Sequence, residues 1–501
     1  MNPTRILASL SLLVSGFSLA AAAADPLATL PRSTPEEQGV SSAAILNFIQ
    51  TAEKKVDAFH SFVLIRHGKV VAEGWWSPYS AEEPHVLFSL SKSFTSTAVG
   101  LAIAEGKLSL TDPVLKFFPE EAPASPSKNL QAMRVKDLLR MQTGQVAEDV
   151  DKFPFQSSED LVKLFLALPV TYKPGTHFVY NTEATYMLSA IVQKVTGQTV
   201  LDYLGPRLFE PLGIAHPTWE KSAQGISFGG FGLSIRTEDI ARFGQLYLQK
   251  GQWKGKQLVP SEWVEAATSL QTSNGSSPDS DWDQGYGYQF WRCRHGFFRG
   301  DGAFGLLCIV MPEFDAVFAA TAGTGDMQGE MNAIWDTIVP GFSPKPLPAD
   351  PESDRKLAEK LAGLTLPAVS GSADTPIAAK IAGKRYGFPE NPMGLESLSY
   401  EPVAAGAPAQ FKVRIRGKDE VVSCGNGSWI RQELSSNPEP TAVSGAWTSP
   451  DTFTLSLCNY RTPFIWTDRI KFTDDGVEFE TQPNVGFGGS TPKTMTGKVQ
   501  P

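Results

Sequence analysis

The chain reads as an α/β domain followed by a smaller all-β domain, because its hydrophobic pattern changes period partway along. Strand-like apolar runs stand at residues 62–65 and 70–76 around a glycine turn, and again at 286–291 and 306–311. Helical periodicity fills the interval, at 89–105, 135–141 and 184–195. Strands at both ends with helices between them place the first and last strands in one antiparallel sheet. Beyond residue 376 the period becomes two: residues 411–415, 453–457 and 477–479 alternate strictly, and Asp474, Asp475 and Gly476 supply a turn. Between the two patterns, residues 340–376 shift to Pro, Ala, Ser and Asp around a short helical stretch at 354–364, which is linker composition. The expected organisation is a leader at 1–24, a first domain at 25–342, a linker at 343–375 and an all-β domain at 376–501.

At 501 residues the chain exceeds one ordinary core, which agrees with two domains. A formal charge of -9 leaves no basic footprint, so neither nucleic acid nor an anionic membrane is expected as the main partner. Arg5, an apolar run at 6–19 and the alanines at 20–24 form a secretory signal with cleavage before Asp25, which predicts a secreted or periplasmic protein. No later run is long and apolar enough to predict a membrane span. The four cysteines fall as Cys293 with Cys308 and Cys424 with Cys458, open to reading as disulfides or as free buried thiols.

The chemistry concentrates at Ser89 and Lys92. A hydroxyl opening a helix and a lysine three residues on share one helix face, about 5–6 Å apart at Cβ, so the amine can take the hydroxyl proton. The helix N-terminus also directs backbone N–H groups toward developing negative charge. The same spacing recurs at Ser125/Lys128, Ser353/Lys356 and Ser490/Lys493, but none of these combines a helix start with a following apolar run. His67, His85, His177 and His295 are scattered without a ligand pattern, so no metal site is predicted. Trp75, Trp76, Trp282, Tyr286, Tyr288 and Trp291 are aromatic candidates for core or for the wall of an acyl pocket.

Around Ser89 and Lys92 the sequence resembles the serine β-lactamase and penicillin-binding-protein superfamily, in particular its esterase-like class C branch. The resemblance runs from about residue 39 to 324 and rests on residues 106–113, Leu138 and Leu139 with Thr143 and Gly144, residues 174–176 leading to Tyr180, and residues 208–213. It implies an antiparallel sheet flanked by helices, with an all-helical insertion. It also implies that Tyr180 belongs to the second motif, with Thr182 in place of the usual Asn. The third motif falls on Gly300, Asp301 and Gly302, where the family's basic residue is missing, and Arg299 is one position off. In this frame the N–H groups of Ser89 and Ala303 form the oxyanion hole. Thr182, Gly300, Asp301 and Gly302 line the substrate cleft, the glycines letting the backbone approach the substrate. Asp301 would add a negative charge that repels anionic substrates.

These readings converge on a secreted serine hydrolase acting through an acyl-enzyme on a small ester or amide, with Ser89 as nucleophile, Lys92 as base and Tyr180 as proton relay, and without a cofactor. A D-aminopeptidase, penicillin-binding or β-lactamase-type activity is the enzymatic alternative. A non-catalytic binding protein with a decayed site is the other. Related two-domain hydrolases suggest that the C-terminal domain packs over the cleft.

Overall fold

The computed structural model describes residues 30–148, 153–401, 404, 406–473 and 475–500; the leader at 1–24 and Asp474 of the 474–476 turn lie outside them. Among the described residues, six strands form one antiparallel sheet in the spatial order Lys69–Trp75, Phe59–Arg66, Ala316–Ala322, Leu306–Met311, Phe298–Gly302, Trp291–Arg292. The first and last predicted strands share one sheet, as expected, but the strand beside Phe59–Arg66 is Ala316–Ala322, which the sequence pattern does not single out, with Leu306–Met311 next to it. Alternate residues serve two cores. Phe62 and Leu64 face the helices Ser42–Lys55 and Met327–Thr337, while Val63 and Ile65 face the helix Thr237–Leu248 and the helical region beyond it. Burial on both faces explains why these strands read as unbroken apolar runs.

One local expectation differs from the structure. Residues 286–291 do not form one strand: Tyr286 makes isolated bridges to Thr272 and Trp291, and regular pairing begins only with Trp291–Arg292. Left-handed backbone at Gly285 (φ 101°) and Gln289 (φ 65°) breaks the extended run. In the helix after Ser89, every residue from Ser91 to Ala102 is buried. Its hydroxyls are satisfied internally, since Ser93, Thr95 and Ser96 donate to the carbonyls of Gln289, Gly229 and Tyr288. That helix is thereby fixed from all sides.

The segment read as a linker is packed against the first domain. Its helix Pro351–Ala362 puts Leu357 into the core with Phe48 and Ile49, Lys360 pairs with Glu53 at 2.7 Å, and Leu364 and Leu366 exchange backbone hydrogen bonds with Ser77. Alternating Pro and Ala conceal these few anchoring leucines in a composition count. All four cysteines are buried and free, which settles the choice the spacing left open in favour of thiols.

The C-terminal strands form a ten-stranded antiparallel meander in which the first strand, Arg385–Gly387, pairs with the last, Lys493–Val499. The remaining gap lies between Lys418–Cys424 and Ile430–Gln432, where the Gln432 side chain accepts from Ser423 N at 3.1 Å and donates to Ser423 O at 2.8 Å. The sheet is thus a nearly closed barrel. Its loops dock onto the first domain: Val86 N donates to Arg461 O at 2.9 Å, Tyr79 donates to Thr462 O at 2.9 Å, Arg461 pairs with Glu83 at 2.7 Å, and Asn484 donates to Gly323 O at 3.0 Å. Val86 and Glu83 immediately precede Ser89, so the barrel is anchored beside the candidate site.

Candidate active site

Ser89 sits in a single 3-10 turn, Phe88–Leu90, that runs directly into the helix Ser91–Ala104 and places Lys92 in its first turn. Lys92 is buried, and its Nζ lies 2.9 Å from Ser89 Oγ, 3.1 Å from Thr182 Oγ1 and 3.0 Å from Gly230 O. Thr182 Oγ1 in turn donates to Glu148 Oε1 at 2.6 Å, so its proton is committed and it can only accept from the lysine. The Gly230 carbonyl is likewise an acceptor. A neutral amine has two N–H bonds and one lone pair; with the two hydrogens directed at Thr182 and Gly230, the lone pair faces Ser89. Burial lowers the Lys92 pKa to about 8, against the opposing pull of Glu148, Glu183 and Asp301.

Tyr180 approaches from the other side. Its ring lies 4.9 Å from Lys92 Nζ and stacks on Trp291 at 5.3 Å, and its hydroxyl is within hydrogen-bonding reach of Ser89. Burial first, and then the charge of Asp301, push the phenol well above its ordinary range. Tyr180 is a neutral phenol here and not a phenolate. The next residue, Asn181, caps the helix Thr182–Thr196 by accepting from Ala184 N at 2.7 Å and donates to Gln145 at 2.7 Å, which fixes the Tyr180 segment.

Thr182 was expected to meet substrate, but it is 6 % exposed and spent on the Lys92–Glu148 relay. Gly300 and Gly302 were expected to open the strand to substrate. Instead they let the strand Phe298–Gly302 close onto the serine turn: a Cβ on Gly300 would lie 2.5 Å from Leu90 Cδ1 and 2.6 Å from Ser93 Oγ, and one on Gly302 would strike the Leu87 carbonyl. Asp301 is not a free charge. It pairs with Arg299 at 2.8 Å on the same strand face, and the Arg299 guanidinium, itself fully buried, lies 4.9 Å from Trp282 and 5.6 Å from Trp291. Repulsion of anions by Asp301 is therefore offset by its partner. Neither Gly300 nor the locked Arg299 offers a basic group to a substrate carboxylate.

The close approach at Gly302 brings Ala303 beside the turn carrying Ser89. Their neighbours Phe88 (φ 42°) and Phe304 (φ 73°) both adopt left-handed backbone, strain of about 1–3 kcal/mol each that is held by the packing around it. The two rings lie 5.9 Å apart, and the barrel adds two more: Phe464 is 6.1 Å from Phe88 and 5.8 Å from Phe304, and Phe487 is 5.4 Å and 4.9 Å from them. Phe487 is 66 % exposed. An aromatic wall built by both domains thus borders Ser89. His85, by contrast, is turned into the core, 3.3 Å from His60. Sequence reasoning missed Glu148, Gly230, Phe464 and Phe487, for which no local motif exists, and Gln145, which directly follows the Thr143–Gly144 pair.

A family model described as Beta-lactamase matches residues 48–336. A 6-aminohexanoate-dimer hydrolase of Paenarthrobacter ureafaciens is 26% identical over 326 residues, covering 58% of this chain and 80% of that protein. A Beta-lactamase of Escherichia coli (strain K12) is 26% identical over 225 residues, covering 39% of this chain and 57% of its own length. Among solved structures, one from Bacillus anthracis, provisionally named a 6-aminohexanoate-dimer hydrolase, superposes with a TM-score of 0.52 at 20% identity, covering 63% of this chain and 87% of that one.

Proposed function

Given that the chain belongs to the beta-lactamase family and is one of its serine hydrolases, we propose that it cleaves a neutral ester or amide with an apolar acyl group through an acyl-enzyme on Ser89. The observation that carries this reading is the buried Lys92 amine, 2.9 Å from Ser89 Oγ, with two further acceptors, Thr182 Oγ1 and Gly230 O, at 3.1 and 3.0 Å that can take its hydrogens. The Ser89 proton passes to Lys92 as Oγ bonds to the substrate carbonyl carbon. Negative charge on the carbonyl oxygen is held by the N–H groups of Ser89 and Ala303. The proton then travels through Lys92 and the neutral phenol of Tyr180 to the leaving alcohol or amine as its bond to the carbonyl carbon breaks. Water repeats the sequence in reverse roles and frees the acid.

The absence of a basic group at Gly300, together with the Arg299–Asp301 pair, disfavours a substrate gripped by its carboxylate, as a β-lactam or a peptide terminus would be. The relative named as a 6-aminohexanoate-dimer hydrolase keeps amides in view beside esters. The test is covalent labelling of the folded protein with a fluorophosphonate beside Ser89→Ala, with the labelled peptide mapped by mass spectrometry. Labelling at Ser89 and its loss in the variant are expected. Folded wild-type protein that stays unlabelled and cleaves neither esters nor amides would overturn the reading.

A further inference from the structure

Away from Ser89, the C-terminal barrel holds a cavity of about 900 Å³. Its walls are the inward residues of the meander, among them Leu398, Phe411, Leu455, Ile470 and Phe479. That volume lies at the upper end of the range for small-molecule sites, and the lining is mainly apolar, as such sites require. A barrel core that served only stability would be filled by side chains to close packing.

Within this lining one buried polar pair stands out. Asp468 and Thr481 stand opposite each other on the neighbouring strands Ile465–Phe472 and Gly476–Pro483, and both face the cavity. They are 7 % and 2 % exposed, and neither Asp468 Oδ1 nor Thr481 Oγ1 has a well-formed hydrogen bond. Burial raises the Asp468 carboxyl to about 6, the nearby Thr481 hydroxyl eases it only in part, and no basic side chain among the described residues pairs with it. A buried carboxyl without a cation is costly, and folding alone gives no reason to put it in an apolar chamber. Elsewhere in the lining, Asn437 donates to Asn459 at 2.9 Å, Glu420 accepts from Ser435 and Ser436 at 2.6 Å each, and the two basic residues, Arg416 and Lys493, are exposed to solvent.

We infer that the barrel cavity is a second ligand site, separate from Ser89, for an apolar molecule carrying a cationic amine head that pairs with Asp468 while its chain lies among the aliphatic and aromatic walls. Trp466 lines the same cavity and reports on its occupancy.

The experiment uses full-length Ser89→Ala protein, so that chemistry at Ser89 cannot contribute. Decylamine, decanol and decanoate are titrated below their aggregation concentrations, with binding read by calorimetry and by tryptophan fluorescence. The expected result is one decylamine per chain, at least tenfold tighter than decanol, with decanoate weakest. Asp468→Asn should cost decylamine at least tenfold and leave decanol within about twofold. Phe487→Ala, on the aromatic wall and outside the cavity lining, should change neither. Hydrogen exchange on the wild-type sequence in the barrel should slow along Ile465–Phe472 and Gly476–Pro483 when decylamine is added, which holds the inference testable if Asp468→Asn folds poorly. No binding of decylamine, binding indifferent to Asp468→Asn, or binding lost with Phe487→Ala would overturn it.

Discussion

At Lys92 the direction of proton transfer depends on pH. The amine is a base only when neutral, and burial sets its pKa at about 8, so acylation should fall as pH drops below that value and level off above it. Glu148 reaches Lys92 through Thr182 and raises its pKa, which opposes the effect of burial. Glu148→Gln keeps an oxygen for the Thr182 hydroxyl but removes the charge. The rising limb of kcat/KM against pH, measured with a neutral ester, should therefore move to lower pH by on the order of one unit. A limb that stays in place or moves to higher pH would show that Glu148 does not act on the amine. Ser89 and Lys92 were legible in the sequence because a helix fixes the geometry of residues three apart. Glu148 and Gly230 were not, since they reach the amine from segments 56 and 138 residues farther along the chain.

Between elements, the decisive contact is the strand Phe298–Gly302 closing onto the turn Phe88–Leu90. A glycine-rich motif reads equally well as room for substrate or as room for a neighbouring element, and only the packed structure tells the two apart. Here the space belongs to the Leu87 carbonyl and to Leu90 and Ser93. Gly302→Ala should thus act as overpacking, costing about 1–3 kcal/mol, and should also displace Ala303 from Ser89. Thermal unfolding and the rate of fluorophosphonate labelling check this together: a melting temperature lower by a few degrees with slower labelling is expected. Wild-type values for both would mean that the strand and the serine turn separate freely. That the first and last strands share one sheet was legible, because strands buried on both faces leave long apolar runs; their order was not, since the strand Ala316–Ala322 between them is not marked out in the sequence. The stretch 286–291 was misread for the reverse reason: apolar and aromatic residues suggest a strand, while Gly285 and Gln289 turn the backbone out of it.

Across the whole molecule, the barrel is more than an appendage. Its strict alternation announced an all-β domain, but alternation carries no information about closure or about which loops meet the partner domain. Those depend on contacts between residues hundreds of positions apart, such as Val86 with Arg461. The strands bearing Asp468 and Thr481 begin just after Phe464 and end just before Phe487, so the same pair of strands lines the cavity and completes the wall beside Ser89. Phe487 is the separable part of that wall. At 66 % exposure it contributes little to folding, and Phe487→Ala should stay within about 0.5 kcal/mol of wild-type stability. Its ring nevertheless packs against Phe88, the residue before Ser89, and Phe304, and under the proposed acyl-enzyme reaction we place the acyl group against it. Loss of one aromatic contact there should lower kcat/KM for benzoyl or octanoyl esters about tenfold, while an acetyl ester, too short to reach the ring, changes less than about twofold. The same alanine substitution would then leave acyl selectivity flattened and the fold intact. Equal losses on long and short esters would instead assign Phe487 to holding the serine turn in place, and no loss on either would remove the barrel from substrate selection.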